Sequence, residues 1–436
     1  MGERMQVPLD EVYEFASGLS KPRSAFGSGY PFLSFKDVFY RFFVPNDLSE
    51  LVNSNEQERA RCSIKRGDVF LTRTSETMDE LGMSCVALRD VPNGTFNGFT
   101  KRLRPKSDDR VVPDYAGYFF RSPAFRRAVT AMSSMSTRAS LNNEMLARLS
   151  ITLPPVEVQK AIGGILRALD DKIELNRQTN ETLEALARAI FKDWFVDFGP
   201  TRAKAEGRQP YLAPELWELF PDELDDEDKP LGWSFVTIAD LVNHVQNGGT
   251  PARKNTNYWS AGTIPWFKTG ELFDRFLITS EECITKAGLA AIGGKIWPPG
   301  TILFAIYASP TVGRMGILTS AASANQACCA LQPRNEIGLP FLFYVLLMSR
   351  EKLQNIAVGA AQQNISQKIL LEYFTVYPGD ILTRQFSDKV LPLLNKIQHN
   401  QQEEDTLAQT RDLLLPKLMS GEIRLQDAER IVGEIV

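Results

Sequence analysis

Two stretches of the chain repeat one polar pattern: DKIELNRQTNETL at 171–183 and NKIQHNQQEEDTL at 395–407. Aligned at an offset of 224 residues (395 minus 171), they are identical at Lys172/Lys396, Ile173/Ile397, Asn176/Asn400, Thr182/Thr406 and Leu183/Leu407. The match continues upstream at the same offset, where LNNEMLARLSITLPP (141–155) overlays ISQKILLEYFTVYPG (365–379). A repeat this long predicts an internal duplication and not a solenoid, with pseudo-two-fold symmetry inside one chain.

Further upstream the exact spacing slips, but the order of similar segments is kept. The similar pairs are YPFLSFKDVF (30–39) with IPWFKTGELF (264–273), VFLTRTS (69–75) with ILFAIYA (302–308), and TKRLRPK (100–106) with CCALQPR (328–334). Short β-rich runs between Gly- and Pro-containing turns indicate mixed α/β structure in each copy. The repeating unit is therefore a globular segment followed by a long helix.

The apolar stripe of each helix is typical of a coiled coil, because its steps alternate between four and three residues. The first stripe comprises Ile162, Leu166, Leu169, Ile173, Asn176, Asn180, Leu183, Ala187, Ile190 and Trp194. The second comprises Phe386, Val390, Leu393, Ile397, Asn400, Glu404, Leu407, Leu414 and Leu418. Arg411 interrupts the second stripe, and Pro416 is expected to kink or end that helix.

We therefore predict an α+β fold, in which two similar mixed α/β domains are separated by a long antiparallel pair of helices. The predicted segments are a first domain (1–151), a central helix (152–199), a connector crossing the surface (200–229), a second domain (230–377), a C-terminal helix (378–425) and a tail (426–436). If the symmetry axis passes near residues 178 and 402, Asn176 faces Glu404 and Asn180 faces Asn400. Such buried polar pairs can set helix register. The alternative is a solvated weak point in the pair.

Bulk composition indicates a soluble chain of two to three domains, since 436 residues exceed one ordinary core. The net charge is −4, yet residues 101–150 carry ten Lys or Arg against four Asp or Glu, so local positive faces are possible. A mixed-charge solvated face is the commoner cause. The five cysteines form no CxxC pair, which favours a reducing cytoplasm and disfavours a zinc site. No signal peptide or membrane span is expected, so we predict a cytoplasmic location and no membrane partner.

Two similar domains at a fixed separation suit a polymer with a repeat, such as duplex DNA. The candidate DNA contacts are Gly-rich loops with amide, hydroxyl and basic side chains, because such loops can approach phosphates and base edges. In the first domain the candidates are Lys21, Arg23, Ser34, Lys36, Arg73, Lys101, Arg102, Arg104 and Arg138. In the second they are Gln246, Arg253, Lys254, Lys268, Thr269, Tyr307, Arg314, Asn325, Gln326, Gln362, Gln363 and Asn364. The alternative for each loop is ordinary turn chemistry.

The end of the central helix is unusually aromatic. Ile190, Phe191, Trp194 and Phe195 widen the apolar face beyond what a two-helix seam needs. We expect this face to bind a partner subunit; the alternative is packing against the adjoining domain.

No catalytic motif is recognisable. The chain lacks a P-loop, an HExxH pair and the Asn-Pro-Pro-Tyr/Phe run of amino-methyltransferases. We therefore expect no enzymatic activity and no metal site in this chain, and a fused methyltransferase–nuclease is disfavoured.

The chain resembles the specificity (S) subunit of type I restriction–modification enzymes along essentially its whole length. The resemblance is carried by residues 153–204 (beginning LPPVEVQKAIGG), IPWFKTGEL (264–272), GAAQQNISQKIL (359–370) and LLLPKLMSGEI (413–423). In the first domain YPFLSFKDVF and SMSTRASLNN replace the usual motifs, so its contact residues follow the family less closely.

The resemblance implies a non-catalytic subunit that reads a bipartite site in double-stranded DNA, one domain per half-site. The helix pair would act as a ruler and as the docking platform for two methyltransferase (M) subunits, with two motor-nuclease (R) subunits in the full complex. S-adenosylmethionine, ATP and Mg²⁺ would belong to those partners, and this chain would bind no cofactor. The alternative is a two-headed coiled-coil adaptor that does not bind DNA, which would lack a salt-sensitive affinity for duplex DNA.

Overall fold

The computed structural model describes residues 4–75, 80–107, 109–132, 139–307, 310–359 and 364–436. The chain divides into two compact units. Unit 1 comprises Met1–Glu174 and Asp405–Val436, and unit 2 comprises Leu175–Glu404. Because both division points fall inside long helices, each unit contains one globular domain and half of each helix.

The domain of unit 1 contains eleven described strands and six described short α-helices. The strands are β1 (Met5–Pro8), β2 (Tyr13–Ser17), β3 (Phe26–Leu33), β4 (Leu51–Val52), β5 (Val69–Thr72), β6 (Thr74–Ser75), β7 (Ser84–Val86), β8 (Thr95–Phe96), β9 (Thr100–Pro105), β10 (Ala139–Ser140) and β11 (Ser150–Leu153). The helices are α1 (Leu9–Val12), α2 (Phe35–Tyr40), α3 (Glu56–Arg61), α4 (Pro113–Phe119), α5 (Pro123–Met132) and α6 (Asn143–Arg148).

Helix α7 (Val156–Phe195) then leads through α8 (Gly199–Ala205) and α9 (Pro214–Trp217) to the second domain. Its strands are β12 (Ser234–Thr237), β13 (Val242–Asn247), β14 (Ile264–Phe267), β15 (Arg275–Leu277), β16 (Glu282–Ile284), β17 (Ile302–Ala305), β18 (Met315–Leu318), β19 (Ser323–Ala324), β20 (Cys328–Pro333) and β21 (Phe374–Tyr377). Its helices are α10 (Ile238–Leu241), α11 (Lys286–Ala291), α12 (Gly338–Gly359) and α13 (Gln367–Leu371), and the chain ends with α14 (Asp380–Ser420) and α15 (Leu425–Gly433).

The strand order shows the duplication directly. Unit 1 has a sheet in the order β2-β9-β5-β7, and unit 2 has β13-β20-β17-β18 with β15 added at the edge. Each unit also has a three-stranded sheet, β4-β3-β8 or β16-β14-β19, and an antiparallel pair, β1-β11 or β12-β21. The parallel pairing of β3 with β8 is repeated by β14 with β19. The predicted internal repeat of mixed α/β domains is confirmed.

The two long helices pack against each other in an antiparallel direction within each unit. In unit 2, Asn176 contacts Glu403 and Asn180 contacts Asn400, so residue numbers rise along α7 as they fall along α14. The seam residues Ile162, Leu166 and Leu169 of α7 share the core of unit 1 with Leu414 and Leu418 of α14. The coiled-coil stripe therefore forms part of each domain's own core.

Three predicted features of the helical segments need correction. Helix α14 does not end at Pro416 but continues to Ser420. Pro416 has no N–H to donate to the Asp412 carbonyl, but both residues lie on the exposed face, where water can donate to that carbonyl instead. The connector does not merely cross the surface, since Leu216, Trp217 and Phe220 are buried in the core of unit 2. The tail likewise folds as α15, whose Ala428 and Val432 are buried in unit 1.

No helix in the described part of the chain is long and apolar enough to cross a membrane.

Candidate nucleic-acid interface

Two predicted cations of unit 2 meet beside the three-stranded sheet. Lys268 immediately precedes the short 3-10 helix Thr269–Glu271, and its Nζ donates to Glu281 at 2.8 Å and lies 3.2 Å from Glu282. Arg253 pairs with the same Glu282 through both terminal nitrogens, the longer contact being 3.1 Å. Its guanidinium lies 3.9 Å from the ring centroid of Trp259 and 4.8 Å from that of Trp266. The fold brings these side chains together as a connected network.

The network is already neutralised by its own carboxylates. The hydrogen bond to Glu281 raises the pKa of Lys268, and the hydrogen bond from Arg253 lowers the pKa of Glu282. The two terminal nitrogens of Arg253, which could donate to a phosphate or a guanine, already donate to Glu282. Contact between DNA and either cation therefore requires exchange of a carboxylate partner.

The amide-bearing loops of unit 2 pack against one another through a glycine. A Cβ added at Gly248 would lie 2.1 Å from the carbonyl oxygen of Asn325, so only glycine allows this approach. Gly18 of unit 1 makes the same approach to the carbonyl of Asn97, at 2.2 Å. The repeated contact fixes the position of the loops that follow both glycines.

The predicted amide residues in this region carry structural hydrogen bonds. Gln246 accepts from the Trp297 indole at 3.1 Å, Asn325 accepts from the Ala327 amide at 3.1 Å, and Gln326 accepts from the Thr250 hydroxyl. Gln326 is exposed, so its NH₂ group remains accessible for a base edge.

The remaining predicted residues of unit 2 differ in accessibility. Lys254, Tyr307 and Asn364 are exposed and Arg314 is half-buried. Thr269, the first residue of the 3-10 helix, is only 7% exposed. Gln362 and Gln363 lie outside the described residues.

The three basic residues of strand β9 that were predicted as DNA contacts make hydrogen bonds within unit 1. Lys101 donates to Ser17 and Asn143 at 2.9 and 2.8 Å, and burial lowers its pKa. Arg102 donates to the carbonyls of Arg61 and Ser63, and Arg104 pairs with Asp68 at 2.6 Å. These cations donate to neutral acceptors and to one carboxylate, on a strand that lies between β2 and β5 in its sheet.

Ser34 is also structural, since its hydroxyl accepts from the Asp37 amide and caps α2. Among the other candidates of unit 1, Arg23 and Lys36 are exposed, Arg73 is half-buried, and Lys21 pairs with Glu58 at 2.7 Å. Arg138 lies outside the described residues.

The polar centre of the helix pair is buried and bonded. Asn400 donates to Asn180 at 2.8 Å, as predicted, but Asn176 donates to Glu403 at 2.7 Å and not to Glu404. Glu404 instead accepts from Asn180 at 3.1 Å and from Arg177 at 3.3 Å. The Asn180–Asn400 bond keeps the predicted register, and the bond from Asn176 goes to Glu403, the residue before the predicted Glu404.

The aromatic end of α7 does not form an exposed partner-binding face. Phe191, Trp194 and Phe195 are 3–5% exposed, and Ile190 is half-buried, all within the core of unit 2. The Phe191 ring lies 5.5–5.9 Å from those of Phe386, Phe341 and Tyr344. The alternative is correct: these residues join the helix pair to the adjoining domain.

One half-buried ion pair was not predicted from the sequence. Arg411 donates to Asp170 at 2.7 Å, and Asp170 also accepts from the Tyr118 hydroxyl at 2.6 Å. Burial opposes the charge on Arg411, but Asp170 and Asp412 together outweigh this effect and raise the pKa of Arg411. The sequence did contain an indication of this pair. Arg411 interrupts the apolar stripe of one helix, so an acidic partner could be expected on the other helix near Asp170.

Within the described residues no group of three or more His, Cys, Asp or Glu is placed to hold a metal ion. Each unit is a mixed α/β domain packed on antiparallel segments of the two long helices, and unit 2 carries a network of paired cations beside its three-stranded sheet.

Comparison with known proteins identifies the class. The family described as Type I restriction modification DNA specificity domain matches residues 2–185 and 230–377. The chain belongs to this family.

Relatives extend the match over nearly the full length. The HindI specificity subunit of Haemophilus influenzae is 26% identical over 91% of this chain and 95% of its own. The MjaIX specificity subunit of Methanocaldococcus jannaschii is 26% identical over 96% of this chain and 93% of its own. The crystal structure of the type I S subunit from M. genitalium has the same fold, with a TM-score of 0.58, 14% identity and 96% coverage of both chains.

Proposed function

We propose that this chain selects the DNA sequence for a type I restriction–modification complex, each domain reading one half of a bipartite site. The observation that carries this is the duplication: two family matches, at 2–185 and 230–377, coincide with two domains of the same strand order. Two similar readers on one chain suit a ligand with two half-sites on a regular polymer.

We propose further that the helix pair sets the gap between the half-sites. Helix α7 has 40 residues, which corresponds to about 60 Å at 1.5 Å per residue. The hydrogen bonds of Asn176, Asn180 and Asn400 support a fixed register, since a slip would separate buried polar partners.

The partners follow from the same proposal. Two M subunits and two R subunits would assemble with this chain in the cytoplasm, and S-adenosylmethionine, ATP and Mg²⁺ would be bound by them. This chain would supply sequence recognition without turnover. Since the aromatic end of α7 is buried, M docking must use other surfaces.

A methylation map tests the proposed function. The chain is expressed with its cognate M subunit in a host without other modification systems, and methylated sites are read genome-wide. We expect one bipartite motif with a constant gap. Absence of any motif, together with absence of salt-dependent duplex binding, would favour the two-headed adaptor.

A further inference from the structure

We infer that an exposed aromatic–arginine cluster, Phe273 with Arg275 and Arg314, is a duplex-DNA contact of unit 2. This inference rests on the proposed function and names a contact that the network around Lys268 does not supply. Phe273 is 53% exposed. The guanidinium carbons of Arg275 and Arg314 lie 5.5 and 5.3 Å from its ring centroid.

The charges of this cluster are uncompensated, in contrast to the Lys268 network. Within the described part of the chain, neither Arg275 nor Arg314 has a carboxylate at ion-pairing distance, whereas Arg253 and Lys268 share Glu281 and Glu282. Cations without acidic partners attract a polyanion without first breaking an ion pair. Charge complementarity therefore favours DNA phosphates as the ligand of this surface.

The cluster is held rigidly by residues behind it. Asp274 has a left-handed backbone (φ 60°), donates its amide to the Met315 carbonyl at 2.7 Å and accepts from the Met315 amide at 2.9 Å. Arg350 of α12 donates to the Asp274 carboxylate at 2.8 Å, and Gln354 donates to the Val312 carbonyl at 2.7 Å. These bonds fix the turns that present Phe273 and Arg314. A fixed surface binds with a smaller loss of conformational entropy.

The same residues recur in the other copy of the repeat. FYRF at 39–42 aligns with FDRF at 273–276, so both phenylalanines and the arginine are retained in each unit. In unit 1, Arg121 donates to the carbonyls of Phe39 and Arg41 at 2.9 and 2.7 Å and so supports the equivalent turn. The neighbouring Tyr40 is 69% exposed. Tyr40 aligns with Asp274 and the half-buried Phe39 aligns with Phe273, while Arg41 lies 3.8 Å from Asp37. The turn of unit 1 therefore repeats the aromatic–arginine pattern of unit 2, but its arginine has an acidic partner.

In the assigned roles, Arg275 and Arg314 contact phosphate oxygens, and Phe273 packs against an apolar base edge such as a thymine methyl group.

The test measures binding of the full chain to a mixed-sequence duplex of about 40 base pairs over a range of salt concentrations. Arg275→Gln with Arg314→Gln should weaken binding and reduce the slope of log K against log salt by about 0.9 for each phosphate that is no longer neutralised. Phe273→Leu should weaken binding several-fold at every salt concentration without changing that slope, while Phe273→Trp should retain affinity. Arg384→Gln, an exposed arginine on α14 of the same unit, is the matched charge control. Melting curves establish that each variant is folded.

The outcomes separate this inference from the proposed function. If the wild-type chain binds DNA and the variants have the same affinity and the same salt slope, the inference is overturned but the proposed function is not. Loss of M co-purification with unchanged DNA binding also overturns it and assigns the cluster to a protein partner. A wild-type chain with no salt-dependent affinity for duplex DNA overturns both.

Discussion

At the scale of single residues, the two copies differ most informatively at a buried charge. Asp170 and Arg411 pair inside unit 1. At the 224-residue offset their equivalents are Leu394 and Ala187, which lie in the apolar core of unit 2. One copy thus has an ion pair where the other has two apolar side chains. Removing one partner of a buried pair leaves an uncompensated charge, whereas replacing both is often nearly neutral.

Arg411→Ala should therefore lower the free energy of unfolding by about 2–3 kcal/mol, less than for a fully enclosed pair because both groups retain some solvent contact. Asp170→Leu combined with Arg411→Ala, which copies the residues of unit 2, should recover most of that loss. Urea unfolding of the single and double variants measures this. A double variant less stable than Arg411→Ala would contradict the explanation.

Phe191→Ser should destabilise the chain by about 3–5 kcal/mol, because it removes a ring packed among Phe341, Tyr344 and Phe386 and buries a hydroxyl. Leu186→Ser, at a 49% exposed position of the same helix, should cost less than about 1 kcal/mol. Thermal melting compares the two variants. Equal melting temperatures would contradict the burial of Phe191 and would support the exposed partner-binding face that the sequence predicted.

At the scale of elements, the helix pair depends on a polar centre between two apolar ends. Asn180 and Asn400 are 6% and 1% exposed and bonded to each other, while the Oδ1 atom of Asn400 has no partner among the described residues. A buried unsatisfied acceptor costs stability. Its retention is explained if the cluster serves register and not stability.

Asn180→Leu with Asn400→Leu should therefore raise or leave unchanged the melting temperature while loosening the register. In a methylation map of the complex, the variant should show more than one gap between half-sites. Leu175→Asn, at an exposed position of α7, serves as the control and should keep a single gap. A stabilised double variant with one sharp gap would show that the asparagines do not set register.

The two domains and the two long helices could be predicted from the sequence, whereas several side-chain contacts could not. The repeat and the four-three stripe predicted two domains and both helices because hydrophobic periodicity is a local signal. The internal partners of the β9 cations were not predicted, because those partners, such as Asp68 for Arg104, are distant in sequence. Phe191 was misplaced because a wide apolar face looks the same whether a domain or a partner covers it. The bond from Asn176 to Glu403 was not predicted, because Glu403 lies beside the stripe and not in it.

At the scale of the whole molecule, the length of α7 and α14 should determine the spacing of the DNA site. Inserting four residues after Asn180 should lengthen the helix by about 6 Å, close to two base pairs, and rotate its C-terminal half by about 40°. We expect methylation at a longer gap with reduced occupancy. An unchanged gap at full occupancy would reject the ruler.

The central claim, that each copy of the repeat reads its own half-site, is tested most directly by exchanging one copy. Residues 230–377 are replaced by the corresponding domain of a related specificity subunit, and the chimaera is expressed with its M subunit for genome-wide methylation mapping. We predict that one half of the motif changes, while the other half and the gap stay as in the wild type. Loss or alteration of the half assigned to the first domain would contradict independent reading by the two copies.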